Sequence, residues 1–413
     1  MVADRCARTR YEVRSGVGFR WPGLVERVPG PRDLRLGPTG LCALTSCPCL
    51  KQPEGASTRS SPKEVPAMKA LVYGGSGQRS WTDIPDPVVT EPRDAVIRVD
   101  AVTICGTDLH ILGGDVPAVT PGRVLGHEAV GTVTEVGSAV VSIKPGDRVL
   151  ASCISACGVC AYCRRGVYGQ CLGGGGWILG HKINGVQAEY ARLPFADLST
   201  HRLPDAITDD RAVLLADILP TSYEVGVLNG RVGPGDTVVI VGAGPIGLAA
   251  IITARLFSPA HIIAVDKADS RLQAAKRLGA DIVATPEQDI AELVRSATGG
   301  LGAHVAVEAV GTPQTFELCT SLIRPGGRVA NVGVHGHPAT LHLEDLWIRN
   351  ITITTGLVDT SSTPDLLAML AAGRLDVDTI ITHRYPLDEI MHAYDVFADP
   401  AASGALKVLL TRS

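Results

Sequence analysis

Hydrophobic and polar positions change rhythm once along this chain. From Met68 to about Asp217 the apolar runs are short, β-type and punctuated by Gly and Pro, as in Ala95 to Val99, Ala129 to Val136 and Asp147 to Ala151. That spacing predicts a compact β-rich domain. After Pro234-Gly235-Asp236 the pattern alternates. Strands are expected at Thr237 to Val241, His261 to Val265, Asp281 to Ala284, His304 to Val307 and Arg328 to Val332, with helices starting at Pro245 and Ser270. Strands alternating with helices predict a parallel doubly wound sheet, so the fold class is α/β with a separate β-rich domain. The most apolar stretch, Val238 to Ala254, is interrupted by Gly242, Gly244, Pro245 and Gly247. It reads as strand, turn and helix rather than a transmembrane span.

The first 67 residues lack this patterning. They carry nine Arg and two Lys against six acids, with frequent Pro, Gly and Ser, and are expected to be a disordered extension. No apolar core of a secretory signal is present there, and the scattered acids argue against a transit peptide. Because ordered patterning begins at Met68-Lys-Ala-Leu-Val-Tyr, Met68 is a candidate physiological start.

Composition adds limits. A chain of 413 residues with 45% hydrophobic and 19% charged residues is long enough for two or three domains. A net charge of −4 without a basic cluster in the main body argues against nucleic-acid and membrane surfaces and favours small-molecule chemistry. A cytoplasmic location is expected.

Four cysteines fall within fifteen residues, Cys157, Cys160, Cys163 and Cys171. The spacing C-x₂-C-x₂-C-x₇-C can supply four thiolates from one excursion, which is what a closed structural zinc site requires; a disulfide cluster is the alternative. Cys153 and Cys319 read as bland.

The first strand of the alternating region ends in Val241-Gly242-Ala-Gly244-Pro245-Ile246-Gly247. This is G-x-G-x-x-G where a strand should end and a helix begin. Gly242 permits the turn, Gly244 lets backbone approach a pyrophosphate, and Gly247 allows close helix packing, while the helix N-terminus offers free amides. Asp266 ends the next strand, where a carboxylate can accept from adenosine ribose hydroxyls. It would repel a 2′-phosphate, so NAD is expected over NADP, although Lys267 and Arg271 lie close by in sequence.

Separated residues form a second candidate metal set: Cys105, His127 with Glu128, and Asp217. Alone, a His or Cys is more often structural than a ligand. Mixed S, N and O donors beside a dinucleotide turn are what a catalytic zinc needs.

With these motifs in order, the chain from Met68 to its end resembles the zinc-dependent medium-chain alcohol dehydrogenases. The resemblance implies a GroES-like catalytic domain over 68–218 with a zinc lobe at 153–172, a Rossmann domain over 219–358 and a C-terminal return over 359–413. It implies two zinc ions per subunit: a catalytic one on Cys105, His127 and Asp217, with Glu128 a ligand in some states, and a structural one on the four lobe cysteines. Asp217 is similar to the bacterial secondary-alcohol enzymes of the family, which the lobe cysteines do not match. Trp177 resembles the indole lining their small pocket, or else is a loop packing residue. Thr107 and His110 are expected to relay the alcohol proton and Asp108 to accept from the His127 ring. Thr221, Val310 and Gly333 are expected at the nicotinamide end. Lys407 corresponds to a family cation near the pyrophosphate, a solvated lysine being the alternative. The activity implied is reversible oxidation of small primary or secondary alcohols to carbonyls by NAD, in a homodimer or homotetramer. A polyol or formaldehyde-type dehydrogenase, or a non-catalytic NAD(H)-binding regulator, are the alternatives.

Overall fold

A computed structural model describes residues 67–412. The expected extension, its cysteines Cys42, Cys47 and Cys49, and the question of a start at Met68 therefore lie outside the described residues.

Two sheets organise the rest. The first has seven strands and holds the β-rich part. Its path runs Ile381–Pro386, Lys407–Thr411, Ala95–Thr103, Ala129–Val136, Arg148–Ala151 and Thr200–Arg202, with Tyr190–Leu193 also paired to Ala95–Thr103. The C-terminal strand Lys407–Thr411 pairs antiparallel with Ala95–Thr103, so the end of the chain closes the sheet that its first half began. The strand expected at Ala95 to Val99 continues to Thr103 because Ala101 and Val102 extend the pairing across a bulge to Val130 and Ala129. Ile97, Val99, Val102, Leu125, Val133 and Val149 bury one core with Tyr394 and Leu410. A hairpin of Ala67–Gly75 and Gln78–Pro85 stands beside it.

The second sheet is six-stranded and parallel, in the order Ile282–Ala284, His261–Val265, Thr237–Val241, Ala303–Glu308, Ile323–Asn331 and Thr352–Thr355. Every residue of Thr237–Val241 is buried, as a central strand covered on both faces must be. The helices Pro245–Ala254 and Asp269–Leu278 start where the sequence places them, within one residue. The last expected strand begins earlier, at Ile323, because Ile323 pairs with Ala303 before a bulge. Strand order reverses between Thr237–Val241 and Ala303–Glu308, and a crevice at the carboxyl ends of such strands is where an open α/β sheet takes its ligand.

No helix among the described residues is long and apolar enough to cross a membrane. The architecture is a GroES-like β-rich part plus a Rossmann-type parallel sheet, as the motif order implies.

Candidate active site

The three separated donors sit at the ends of different elements. Cys105 is the N-cap of helix Gly106–Gly113, separated by one residue from the end of strand Ala95–Thr103. His127 precedes strand Ala129–Val136, and Asp217 caps the short helix Ile218–Thr221. Strand pairing brings the first two side by side, and the shared core of the two sheets carries the third to them. One ligand atom from each of Cys105, His127 and Asp217 lies within 4.8 Å of the others. His127 Nε2 is 3.5 Å from Asp217 Oδ2, and Cys105 Sγ is 3.5 Å from the same oxygen.

Burial opposes a charge on His127, yet Asp217 and Cys105 outweigh it and hold the ring well above its ordinary range. Burial also pushes against ionisation of Asp217, but His127 beside it draws the carboxyl far below the usual range. Burial pushes the Cys105 thiol up, with Glu128 adding to it. Opposite charges already buried together are the condition in which a cation can replace a proton at little further desolvation cost. The mixed donor set therefore fits a zinc ion with room for one further ligand.

Glu128 is not part of that cluster. Its Oε2 accepts from Thr103 Oγ1 at 2.6 Å and from Lys407 Nζ at 2.5 Å, and its Oε1 is buried without a partner. Lys407 is correspondingly neither solvated nor directed as a free cation toward a pyrophosphate: it is buried, on strand Lys407–Thr411, with its ammonium committed to Glu128. An unpaired ammonium cannot remain charged inside a core, so the carboxylate captures it.

Asp108 faces His127 without bonding to it. The nearest approach, Oδ1 to Nδ1, is 3.9 Å, and Oδ1 has no partner. Its Oδ2 accepts from the Cys105 amide at 2.9 Å and from Gln187 Nε2 at 3.0 Å, while Tyr394 donates to Gln187 Oε1 at 2.7 Å. Gln187 and Tyr394 carry no signal in the sequence, since their partners lie 79 and 207 positions away and neither forms a motif.

Thr107 Oγ1 lies 3.7 Å from the Cys105 sulfur. His110, one turn on, is part-exposed and its Nδ1 pairs with Asp115 Oδ2 at 2.8 Å. Trp177 meets His127 edge to face at 6.3 Å and stacks on His181 at 4.4 Å. Thr221, expected near the nicotinamide, donates to Asp217 Oδ1 at 2.7 Å. Cys153, read as bland, donates its thiol to the same oxygen at 3.5 Å.

The lobe cysteines converge as one group, with Sγ atoms within 4.8 Å of one another. Backbone amides of Cys163 and Leu172 point at Cys160 Sγ, and those of Cys157 and Gly173 at Cys171 Sγ, each at 3.4 Å. The amides from Cys163 and Leu172 lower the Cys160 thiol to about 6, whereas burial raises Cys163 to about 12. Donors aimed at sulfur favour thiolates, the form in which cysteine binds metal. The glycine run serves the same cage: a Cβ on Gly173 would lie 2.6 Å from Cys157 Sγ, and one on Gly175 only 2.2 Å from the Ser155 carbonyl.

At the glycine turn each residue is distinct. Gly242 has φ +97° and a Cβ there would strike Val310 Cγ2 at 2.5 Å. On Gly247 it would strike the Gly242 carbonyl at 1.8 Å, whereas on Gly244 it would meet nothing nearer than the Arg271 guanidinium at 4.0 Å. Pro245 occupies the first turn of the helix, and the Ile246 carbonyl accepts from Ser222 Oγ at 2.8 Å. Asp266 is buried, accepting from the Ala243 amide at 2.7 Å and the Ala268 amide at 2.9 Å, with Arg271 Nη1 3.8 Å away and Lys267 exposed. Across the switch point, Glu308 Oε1 accepts the amides of Val310 and Gly311, and a Cβ on Gly333 would lie 2.3 Å from the Gly311 nitrogen. Two strand ends thus meet tightly beside the turn.

Comparison with known proteins agrees with this architecture. Residues 91–205 match the alcohol dehydrogenase GroES-like domain, and residues 245–372 match the zinc-binding dehydrogenase family. An alcohol dehydrogenase of Cupriavidus necator is 36% identical over 83% of this chain and 98% of its own. The apo structure of zinc-dependent alcohol dehydrogenase 2 from Streptococcus pneumoniae is 46% identical, covering 84% of this chain and 99% of that one with a TM-score of 0.80. An NADP-bound zinc-binding dehydrogenase from Sinorhizobium meliloti is 30% identical, covering 84% and 99% with a TM-score of 0.75. Two converged donor sets, a glycine turn at the sheet's switch point and these likenesses place the chain in one family: it belongs to the zinc-dependent medium-chain alcohol dehydrogenases.

Proposed function

We propose that this protein is a zinc-dependent oxidoreductase that reversibly oxidises small primary or secondary alcohols, transferring hydride to NAD. The convergence of Cys105, His127 and Asp217 within one ion's reach carries this reading, because three buried donors of mixed type leave a position for substrate. A zinc held by them would supply Lewis-acid stabilisation of negative charge on a substrate oxygen.

The chain's own groups do the rest. Thr107 is placed beside Cys105 to take a proton from that oxygen, and His110, part-exposed and paired to Asp115, passes it toward water. Trp177 walls the site beside His127 and limits its width, which favours short substrates. Gly244 gives an anion access to the amides opening helix Pro245–Ala254. Asp266 accepts the ribose hydroxyls and disfavours a 2′-phosphate, while Arg271 nearby softens that preference. The four lobe cysteines hold a second, structural zinc.

Among the described residues the strand Thr352–Thr355 pairs on one side only, with Ile323–Asn331, and Trp347 and Ile348 just before it are exposed. We assign this edge to a homodimer contact, from which a tetramer can be built.

The test is zinc per subunit on chelator-washed protein, with NADH and NADPH formation across ethanol, 2-propanol, 2,3-butanediol and sorbitol. Near two zincs with turnover on the short alcohols supports the reading. Tight NADH binding and full zinc without turnover on any of them would replace it with a binding protein.

A further inference from the structure

A carboxylate ligand differs from a thiolate in having two oxygens, and in Asp217 the two have different surroundings. Oδ2 faces Cys105 and His127, each at 3.5 Å. Oδ1 accepts from Thr221 Oγ1 at 2.7 Å and from the Cys153 thiol at 3.5 Å.

We propose that Thr221 and Cys153 are positioning residues of the mixed-donor metal site, holding Asp217 through Oδ1 so that Oδ2 alone is presented to the ion. The inference rests on the metal reading above and adds to it a reason for one-oxygen binding. A carboxylate that turned both oxygens inward would occupy the position a substrate needs.

Both residues are fixed to the backbone around Asp217. The Thr221 amide donates to the Asp217 carbonyl at 2.9 Å, one helical turn away, and the intervening Ile218, Leu219 and Pro220 are buried. From the segment just after strand Arg148–Ala151, the Cys153 amide donates to the Ala216 carbonyl at 3.0 Å. The Cys153 side chain is buried among Ile154, Val225, Val358 and Trp177, so its thiol has the acid oxygen as its polar partner. The carboxylate is therefore gripped from two elements, as groups that orient a metal ligand are.

The holoenzyme loaded with cobalt at both sites tests this, since all-thiolate and mixed-donor cobalt absorb differently and the four-cysteine ion reports on folding in the same sample. In Thr221→Val the mixed-site ion should pass to a competing chelator about 10–100-fold more readily, with its spectrum altered and the four-cysteine bands unchanged. Thr221→Ser should restore wild-type behaviour, and Cys153→Ala should shift retention in the same direction by less. If Thr221→Val loses both ions, Cys153→Ala decides. Wild-type spectrum and retention in Thr221→Val or, in that event, in Cys153→Ala overturn the positioning role. Wild-type retention in Asp217→Asn instead overturns the metal reading itself, and this inference with it.

Discussion

Lys407 Nζ lies 2.5 Å from Glu128 Oε2, with both side chains sealed from solvent and 279 positions apart in sequence. The pair joins the C-terminal strand to the residue beside His127. Glu128 pushes Lys407 further up against the opposing effect of burial, so the lysine stays charged. Removing one partner of such a pair strands the other: Lys407→Met should cost about 3–5 kcal/mol in urea unfolding. The double variant Lys407→Met, Glu128→Gln should recover much of that loss, because no charge is then left unpaired.

Gly244 and Gly247 are equivalent in the motif and unequal in the structure. A methyl group on Gly244 meets nothing closer than the Arg271 guanidinium at 4.0 Å, whereas one on Gly247 lands 1.8 Å from the Gly242 carbonyl. Gly244→Ala should leave the thermal midpoint unchanged without ligand and weaken NADH binding measured by fluorescence. Gly247→Ala should lower the midpoint even without ligand, since backbone itself must move.

What the sequence discloses follows from how local the physics is. The glycine turn, the lobe cysteines and the strand Thr237–Val241 are contiguous, so spacing alone exposes them. Cys105, His127 and Asp217 stand out in sequence only as donor types, and their assignment to one ion leans on a resemblance, because strand pairing and sheet packing, not spacing, bring them together. Partners across the fold stayed hidden. Nothing near Cys153 or Lys407 in sequence announces their partners, Asp217 and Glu128. Tyr394, reaching Gln187 across 207 positions, is the same case.

Asp266 already accepts two backbone amides, and Arg271 Nη1 stands 3.8 Å from it. Neutralising the acid leaves that guanidinium without its countercharge and able to receive a 2′-phosphate. Asp266→Asn should raise kcat/KM for NADP relative to NAD by about tenfold or more, the equivalent of ~1.4 kcal/mol. Parallel steady-state assays with both coenzymes give the ratio, and an unchanged ratio would show that the carboxylate does not discriminate.

The lobe cysteines should be separable from the mixed-donor site. Cys160 is the thiol that the amides of Cys163 and Leu172 lower to about 6, which favours the thiolate that binds metal. Cys160→Ser should bring zinc from two to about one per subunit and lower the thermal midpoint, leaving the cobalt spectrum of the mixed site intact.

Acid should find the molecule's weak point at His201, on the strand Thr200–Arg202 that edges the first sheet. Its Nε2 is buried without a partner, and burial alone depresses the ring to about 4 from an ordinary 6.5. A base with a depressed pKa in the fold takes up its proton more readily when unfolded. Its contribution is fully present above about pH 6.5 and is lost as pH falls toward 4, where the unfolded chain binds the proton and the native one does not. The shift corresponds to ~3 kcal/mol at most. His201→Gln, which cannot titrate, should flatten the fall of urea-unfolding stability between pH 6.5 and 4 while leaving the plateau above pH 7 nearly level with wild type. An identical slope in both proteins would mean that the ring finds water or a partner in solution and that the acid sensitivity lies elsewhere.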